Sequence, residues 1–432
     1  MKWWGESIVE TVEKYKVNFI VLLHLIAFSS LIFPYGFPLF TIILICFFLF
    51  TLMKRNIFIR INVKTIVLYL GMLLFVLAIV YDNGILYQAS TSDLINVISM
   101  FLLVVIIGKY SGVEFKLVVD RTLKIYAYIV SFLAAISLLK FYYYLNNIQL
   151  DYFNVPGRGY PSGSSLMMDY NMFALGMLIG VISLTYLLKQ SNSFLIQLFV
   201  VVSNIMVIVS IVFSGSRRGW ILLIPIVLYL FYVLIRKIIK NKKRNNILMF
   251  VLMFFSILFL TYTDVLPTIN IDNTRELERL QYRLSTLESL TGSYDSRTVR
   301  LDYGFELLNE RNYIQLFLGN GFDYLIRYGN HFNVPGGEDY PHNQLLSAAL
   351  YGGLITVVVT IIIIMIPIIV QINYRVRIEY FFIYLLALIF LFQSGNSLYT
   401  INILWLVIAH YCALPNEKHS FKKIKDINTE RI

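Results

Sequence analysis

The chain is poor in charged residues. Only 14% of its 432 residues are Asp, Glu, Lys or Arg, and 58% are hydrophobic, whereas soluble domains have about 25% charged residues. Several stretches of 17 residues or more carry no charge, and such stretches are long enough to cross a bilayer core as helices. Because they are continuously apolar and do not alternate, they favour helices over a β-barrel. The composition therefore predicts an all-α membrane protein with many spans.

Cysteine and the common catalytic motifs are scarce as well. Cys46 lies within an apolar run and Cys412 near the end of another, so no disulfide framework is expected. The sequence has no HExxH, no Cys/His cluster, no P-loop and no Ser-centred elbow. Zinc and nucleotide chemistry therefore lack support, and we expect neither a metal nor a cofactor.

The lysines lie mainly in short connections between apolar runs. A net charge of +11 would otherwise suggest nucleic acid as a partner, but this placement is the usual topological signal of a membrane protein. It predicts about twelve spans with both termini in the cytoplasm. Residues 1–263 would hold spans one to nine, 264–344 a large extracytoplasmic loop, 345–414 spans ten to twelve, and 415–432 a basic cytoplasmic tail.

The loop of residues 264–344 is the one long polar stretch and the expected place for any chemistry. It contains seven Arg, twelve Asp or Glu, two His and no Lys. Its stretch DSRTVRLDYGFELLNE has helical apolar spacing, and Asp295 and Ser296 are good helix caps. Arg297 and Arg300 would thus lie near a helix N-terminus, where backbone N–H groups favour an anion.

Two further features mark the predicted outer side. Arg217 and Arg218 lie in GSRRG between spans seven and eight, against the topological bias; they either snorkel to lipid headgroups or clamp a phosphate. Apart from Lys140, every basic residue placed outside is Arg. His342 follows Pro341 at the outer mouth of span ten (Leu345 to Val370), although a lone His is more often structural than catalytic.

Five stretches in order resemble the O-antigen ligase and polymerase superfamily of bacterial polytopic glycosyltransferases. They are MDYNMFALGMLIG, SGSRRGW, DSRTVRLDYGFELLNE, FLGNGF and PHNQLLSAALYGGLI. The likeness covers roughly the second half of the chain, and the predicted topology with one large late loop also matches. Either Arg217 or Arg218 matches the family's arginine in SGSRRGW, and we favour Arg217 because it directly follows Ser216.

The resemblance implies a metal-independent transferase at the outer face of the bacterial inner membrane. Its donor would be a glycan on undecaprenyl diphosphate and its acceptor a sugar hydroxyl, with a chain-length regulator protein as a further partner. His342 would be the base, and Arg217 and Arg297 would stabilise the leaving diphosphate. The residues implied to bind or orient substrate are Arg218, Arg300, Asn343, Asp169 and Asn171.

Three functions are compatible with this pattern. A polymerase would add the glycan to another lipid-linked repeat unit, and a ligase would transfer it to lipid A core or protein. We favour the polymerase. A flippase for lipid-linked sugars is a further alternative, but a transporter is expected to have paired repeats and polar groups near the membrane midplane.

Overall fold

The structure, a computed structural model, describes residues 17–33, 36–53, 62–81, 88–107, 112–154, 159–240, 296–334, 337–374, 376–394 and 396–414. Within these ranges the regular elements are helices, and no β-strand occurs. The predicted all-α class is thereby confirmed for the described part of the chain. The helices divide into two compact units, and each unit is described by itself.

The terminal unit comprises Met1–Ala27, Phe37–Asp120 and Thr291–Ile432. Three of its helices, α1, α2 and α5, have residues in the second unit as well. Its helices are α1 (Val17–Ser29), α2 (Gly36–Met53), α3 (Val63–Tyr81), α4 (Gln88–Ile107), the start of α5 (Gly112–Leu145), α9 (Ser296–Asn309), α10 (Tyr313–Leu318), α11 (Tyr324–His331), α12 (Gln344–Tyr374), α13 (Ile378–Ser394) and α14 (Asn402–Cys412).

The central unit comprises Phe28–Gly36 and Arg121–Leu290. Its helices are the remainder of α5, α6 (Tyr170–Gln190), α7 (Phe194–Phe213) and α8 (Arg217–Lys240). Helix α6 lies at the core of this unit, because every residue from Phe173 to Leu188 is buried.

Six of the described helices are long and apolar enough to cross a membrane, judged by length and composition: Val63–Tyr81, Glu114–Leu145, Tyr170–Gln190, Phe194–Phe213, Arg217–Lys237 and Gln344–Asn373. Shorter apolar helices occur at Val17–Ser29, Thr91–Ile107, Ile378–Phe392 and Asn402–Cys412. Together with α2 (Gly36–Met53), these helices coincide with every predicted span except the ninth. The ninth, Ile247 to Tyr262, lies outside the described residues, and the count of twelve stays a prediction.

Gly176 and Gly180 form a GxxxG pair in α6, a pattern that predicts close helix packing, and the structure confirms this packing. A Cβ built on Gly176 would lie 2.6 Å from Cγ1 of Ile32, and one on Gly180 would lie 2.4 Å from Cγ2 of Val130. Both distances are far below van der Waals contact. The two glycines therefore let neighbouring segments of the central unit approach α6 closely.

In the terminal unit, the described residues of 296–343, here called the polar segment, pack against the N-terminal half of α12. An aromatic cluster forms part of the contact: the ring of Phe75 on α3 lies 5.4 Å from Phe322, 5.5 Å from Tyr351 and 5.0 Å from Tyr399, all edge-on. Such pairs contribute about 0.5–1.5 kcal/mol each beyond the area that they bury. The cluster ties the polar segment to α3 and α12.

Helix α12 is broken at Gly353, where φ is 66° and ψ is −169°. The apolar pattern alone predicts one continuous span here. The turn of the FLGNGF stretch fills the break: the amides of Asn320 and Gly321 donate to the carbonyls of Leu350 and Tyr351 at 3.2 and 3.1 Å. These bonds satisfy carbonyl groups that a helix end leaves without intrahelical partners.

The fit between turn and break depends on Gly319. Its φ of +83° and ψ of −179° belong to a region used almost solely by glycine, and an added Cβ would lie 2.3 Å from the Tyr351 carbonyl oxygen. We expect Gly319→Ala to lower the free energy of unfolding by about 1–3 kcal/mol or more. Thermal unfolding of the purified protein in detergent would measure the loss.

Gly337→Ala is the matched control for this substitution. Gly337 also has a positive φ of +76°, but none of the described atoms lies within 4 Å of its added Cβ. It therefore tests backbone strain without the steric clash. Equal losses of stability in the two variants would show that the close approach of Gly319 to α12 contributes nothing.

Candidate active site

Two of the predicted arginines lie on α9. Arg297 is the second residue of the helix, and its side chain lies outside the described residues. Arg300, about one turn further, binds one carboxylate oxygen of Asp339 through Nε at 2.9 Å and Nη2 at 2.8 Å. The positive charge of Arg300 is thus paired with the carboxylate of Asp339 in this structure. Direct contact of Arg300 with substrate stays a prediction.

Asp339 connects this arginine to His342. The Asp339 side chain is only 9% exposed, and its backbone amide donates to the Leu325 carbonyl at 3.0 Å, which fixes it on α11. Its second carboxylate oxygen, Oδ1, lies 3.7 Å from Nε2 of His342. That distance is too long for a hydrogen bond but short enough for a strong electrostatic interaction. These three residues form what we call the Arg300–Asp339–His342 cluster.

His342 itself has an unusual backbone. Its φ is 54°, in the left-handed region that few residues other than glycine occupy. Such conformations cost of the order of 1–3 kcal/mol and occur preferentially at functional sites. The side chain is 31% exposed, and its ring lies 4.4 Å from that of Tyr340. The imidazole is therefore both held by its neighbours and accessible.

Asn343 caps α12 directly after His342. Its side-chain oxygen accepts hydrogen bonds from the amides of Leu345 and Leu346, each at 3.1 Å. This is the usual role of Asn at a helix N-terminus. His342 stands two residues before α12, which begins at Gln344, and its place at the outer mouth of span ten stays a prediction. Binding of substrate by Asn343 stays a prediction.

Aromatic residues hold Arg300 in place. The Tyr328 hydroxyl donates to the Arg300 carbonyl at 2.7 Å, and the guanidinium carbon lies 4.7 Å from the Phe332 ring centroid. Burial raises the pKa of Tyr328 well above its usual range, and the neighbouring Tyr303 and Asp339 add to this. The phenol therefore remains protonated and can donate. Arg300 is thus fixed through both its backbone and its side chain.

In the central unit, Arg217 is the first residue of α8. Ser216 precedes it and caps the helix, since its Oγ accepts from the Gly219 amide at 3.1 Å. The same Oγ donates to Oδ1 of Asn171 at 3.0 Å. The SGSRRGW stretch is thereby attached to the start of α6, the stretch that begins MDYN. Two of the five motifs thus meet within this unit.

The remaining predicted residues of the central unit have structural contacts. Asp169 caps α6 by accepting from the amides of Asn171 at 2.9 Å and Met172 at 3.2 Å. Arg218 is buried, whereas Arg217 is partly exposed. This difference favours Arg217 over Arg218 as the arginine that faces a ligand. Substrate contact by Asp169, Asn171 or Arg218 stays a prediction.

Lys140 holds the loop that leads to Asp169. It is buried on α5, and its Nζ donates to the carbonyls of Pro161 and, at 2.7 Å, of Gly163. The Ser164 amide donates to the Phe213 carbonyl at 3.1 Å, which fixes the loop to the end of α7. The one lysine that the sequence places outside therefore supports the fold of this loop.

The structure thus gathers Arg300, His342 and Asn343 in the terminal unit, and Asp169, Asn171 and Arg217 in the central unit. The sequence interpretation missed Asp339, which stands three residues before His342. The only sequence feature that could have pointed to Asp339 was the presence of an acid three residues before a candidate base. Among the described residues, no group of three or more His, Cys, Asp or Glu is arranged to hold a metal ion.

A comparison with protein families gives one informative result. Residues 202–361, somewhat more than a third of the chain, match the family model described as O-Antigen ligase. The matched range includes Arg217, Arg297 and His342. A comparison with curated proteins finds no match. The matched range, the ordered motifs and the apolar helices support the resemblance of this chain to the O-antigen ligase/polymerase superfamily.

Proposed function

We propose that the protein is a glycosyltransferase that joins undecaprenyl-diphosphate-linked oligosaccharide repeat units at the outer face of the bacterial inner membrane. One observation carries this proposal: a partly exposed imidazole, His342, lies at the N-terminal end of α12 beside a buried carboxylate that also binds Arg300. Imidazole is the side chain best suited to accept a proton near neutral pH. The match to the O-antigen ligase family supports a glycan as the substrate.

In the proposed reaction, a hydroxyl group of the acceptor sugar attacks the anomeric carbon of the donor. A carbon–oxygen bond forms between the two sugars, and the bond between the anomeric carbon and the diphosphate oxygen breaks. The diphosphate leaves with the electron pair of that bond, and Nε2 of His342 accepts the hydroxyl proton. Asp339 is a positioning residue, because its carboxylate stabilises the imidazolium that forms.

The reaction needs positive charge where the diphosphate leaves, but it does not need a strong general acid. We propose Arg297 on α9 and Arg217 on α8 for this role. Each stands in the first turn of its helix, where backbone N–H groups also favour an anion. The guanidinium group offers a planar fork of donors that matches phosphate oxygens. The scheme requires no metal, and each arginine can be tested separately.

The reaction is tested by deleting the gene and analysing the glycan of the cell surface. If the protein is the polymerase, the deletion strain is expected to carry single repeat units on the final acceptor and no longer chains. Expression of the wild-type protein should restore the long chains. Long chains that accumulate on the lipid carrier would identify a ligase instead, and single repeats trapped on the cytoplasmic side would identify a flippase.

The ligase is the second candidate, and the description of the matched family favours it. Polymerase and ligase share the donor and the chemistry proposed above and differ in the acceptor. Transfer to a second lipid-linked repeat unit or to lipid A core, tested side by side with purified substrates, separates them. The roles proposed for His342 and Arg217 are the same in both cases.

A further inference from the structure

A second polar site lies on the polar segment and shares no residue with the Arg300–Asp339–His342 cluster. It is a pocket of about 100 Å³, several times the 10–15 Å³ that one water molecule requires. We call it the polar pocket; the polar side chains that line it are Glu310, Arg311, Gln315, Asn320, Asp323 and Arg327.

The charges of the polar pocket cancel. Arg327 binds Glu310 at 2.8 Å and lies 3.8 Å from Asp323, and the hydrogen bond that Arg327 donates to Glu310 raises the pKa of Arg327. Arg311 donates to the carbonyls of Ala349 at 3.2 Å and Leu350 at 2.6 Å, and burial lowers its pKa. Two acids face two arginines, so the pocket has no formal preference for a phosphate or for a metal cation.

A chain of hydrogen bonds orients the uncharged groups. Gln315 donates to Asn320 at 3.0 Å, and Asn320 donates to Oδ2 of Asp323 at 2.9 Å. The other carboxylate oxygen, Oδ1 of Asp323, is buried without a hydrogen-bond partner among the described residues. Buried polar atoms normally have partners. The pocket thus presents fixed donors and acceptors and lacks a donor for this carboxylate.

We propose that the polar pocket is a sugar-binding subsite of the glycan substrate, recognising the several hydroxyl groups of one ring as paired donors and acceptors. This inference rests on the proposed function. Ten residues separate Arg300 from Glu310, or about 15 Å at the helical rise. The bound ring is therefore further along the glycan than the reacting ring. In a polymerase both the donor and the acceptor carry this repeat unit. Experiment therefore has to determine whether the bound ring belongs to the donor or to the acceptor.

The test uses the full-length protein in lipid nanodiscs and the variants Asp323→Asn and Arg327→Gln. Calorimetry measures binding of the lipid-free repeat-unit oligosaccharide prepared from the expressing cells, and transfer assays give KM for donor and acceptor separately. We expect about tenfold weaker binding in both variants, since each loses a charge-assisted hydrogen bond. KM should rise similarly for one substrate while kcat changes little. The substrate affected identifies the source of the ring.

Asp302→Asn is the matched control, because Asp302 is an exposed acid on α9 that does not line the pocket. Arg327 is half exposed, so Arg327→Gln should fold even if Asp323→Asn does not. Unchanged affinity and KM in Arg327→Gln, or a fall in kcat at constant KM, would overturn the subsite. Oligosaccharide binding that depends on Asp323, in a protein without transfer activity, would instead overturn the proposed reaction and leave the subsite standing.

Discussion

Replacement of His342 is expected to lower the rate of glycan transfer by about 10²- to 10⁴-fold, the usual contribution of a positioned base. Donor affinity should change little, because the arginines are proposed to bind the diphosphate. The measurement is transfer from purified lipid-linked donor, with donor binding determined separately. A variant that loses donor affinity but not the rate of bound substrate would make His342 a substrate ligand and not a base.

The choice of replacement follows from the backbone. With φ at 54°, alanine would add conformational strain to the loss of the imidazole, whereas Asn adopts this region more readily than most residues. His342→Asn therefore removes the base and keeps the turn. His342→Gln retains a side-chain amide that can hydrogen-bond. Transfer at the wild-type rate in either variant would show that His342 only packs or caps.

The pH dependence separates the two roles further. A base must be neutral to accept a proton, so transfer should fall as the buffer is acidified from about pH 8 to about pH 5.5, the range in which imidazole ordinarily titrates. The carboxylate of Asp339, 3.7 Å away, favours the imidazolium. Asp339→Asn removes this interaction and should therefore lower the rate of transfer.

His331 provides a control within the same segment. It is exposed, and its ring stacks on Tyr303 at 3.9 Å. His331→Asn should leave both the transfer rate and its pH dependence close to wild type. An equal loss in His331→Asn and His342→Asn would indicate that either substitution disturbs the polar segment as a whole.

The sequence predicted those features that depend on local signals. Continuous apolar runs gave the helices, and Ser296 gave the start of α9. The position of His342 just before α12 followed from Pro341 before a long apolar run. The spacing of Gly176 and Gly180 indicated close packing. In each case the determining residues lie within a few positions of one another.

Features that depend on distant partners were not predictable in this way. Asp339 pairs with Arg300 across 39 positions, and nothing near either residue specifies the other. Gly353 lies in an apolar run that predicts one continuous span. It breaks α12 because the amides of Asn320 and Gly321 supply the missing hydrogen bonds. Long-range pairing of this kind follows from the tertiary fold alone.

The partners of buried polar groups in the apolar helices were likewise not predictable from the sequence. His24 on α1 and His410 on α14 both hydrogen-bond to the hydroxyl of Tyr380 on α13, at 2.8 and 3.2 Å. The sequence shows these histidines only as isolated polar residues in apolar runs. The structure makes them one buried network, because burial of each polar group requires a partner.

Arg217→Ala and Arg217→Lys are both expected to lower the rate of transfer by about 10²- to 10³-fold, equivalent to about 2–4 kcal/mol of transition-state stabilisation. Lysine should not restore activity, because it offers a point charge without the planar fork of donors. Stability should change by less than about 1 kcal/mol, since a positive charge at a helix N-terminus is unfavourable to the helix itself. Transfer assays and thermal unfolding would be compared for the same preparations.

Arg236 is the matched control on the same helix. It is exposed and stands 19 residues after Arg217 on α8, or about 28 Å away at the helical rise. Arg236→Ala should transfer glycan at close to the wild-type rate. If Arg217 merely snorkels to lipid headgroups, Arg217→Lys should keep full activity, because lysine snorkels equally well. Full activity in Arg217→Lys would therefore remove Arg217 from the proposed diphosphate site. Full activity in Arg217→Ala would show that transfer requires no positive charge at this position of α8.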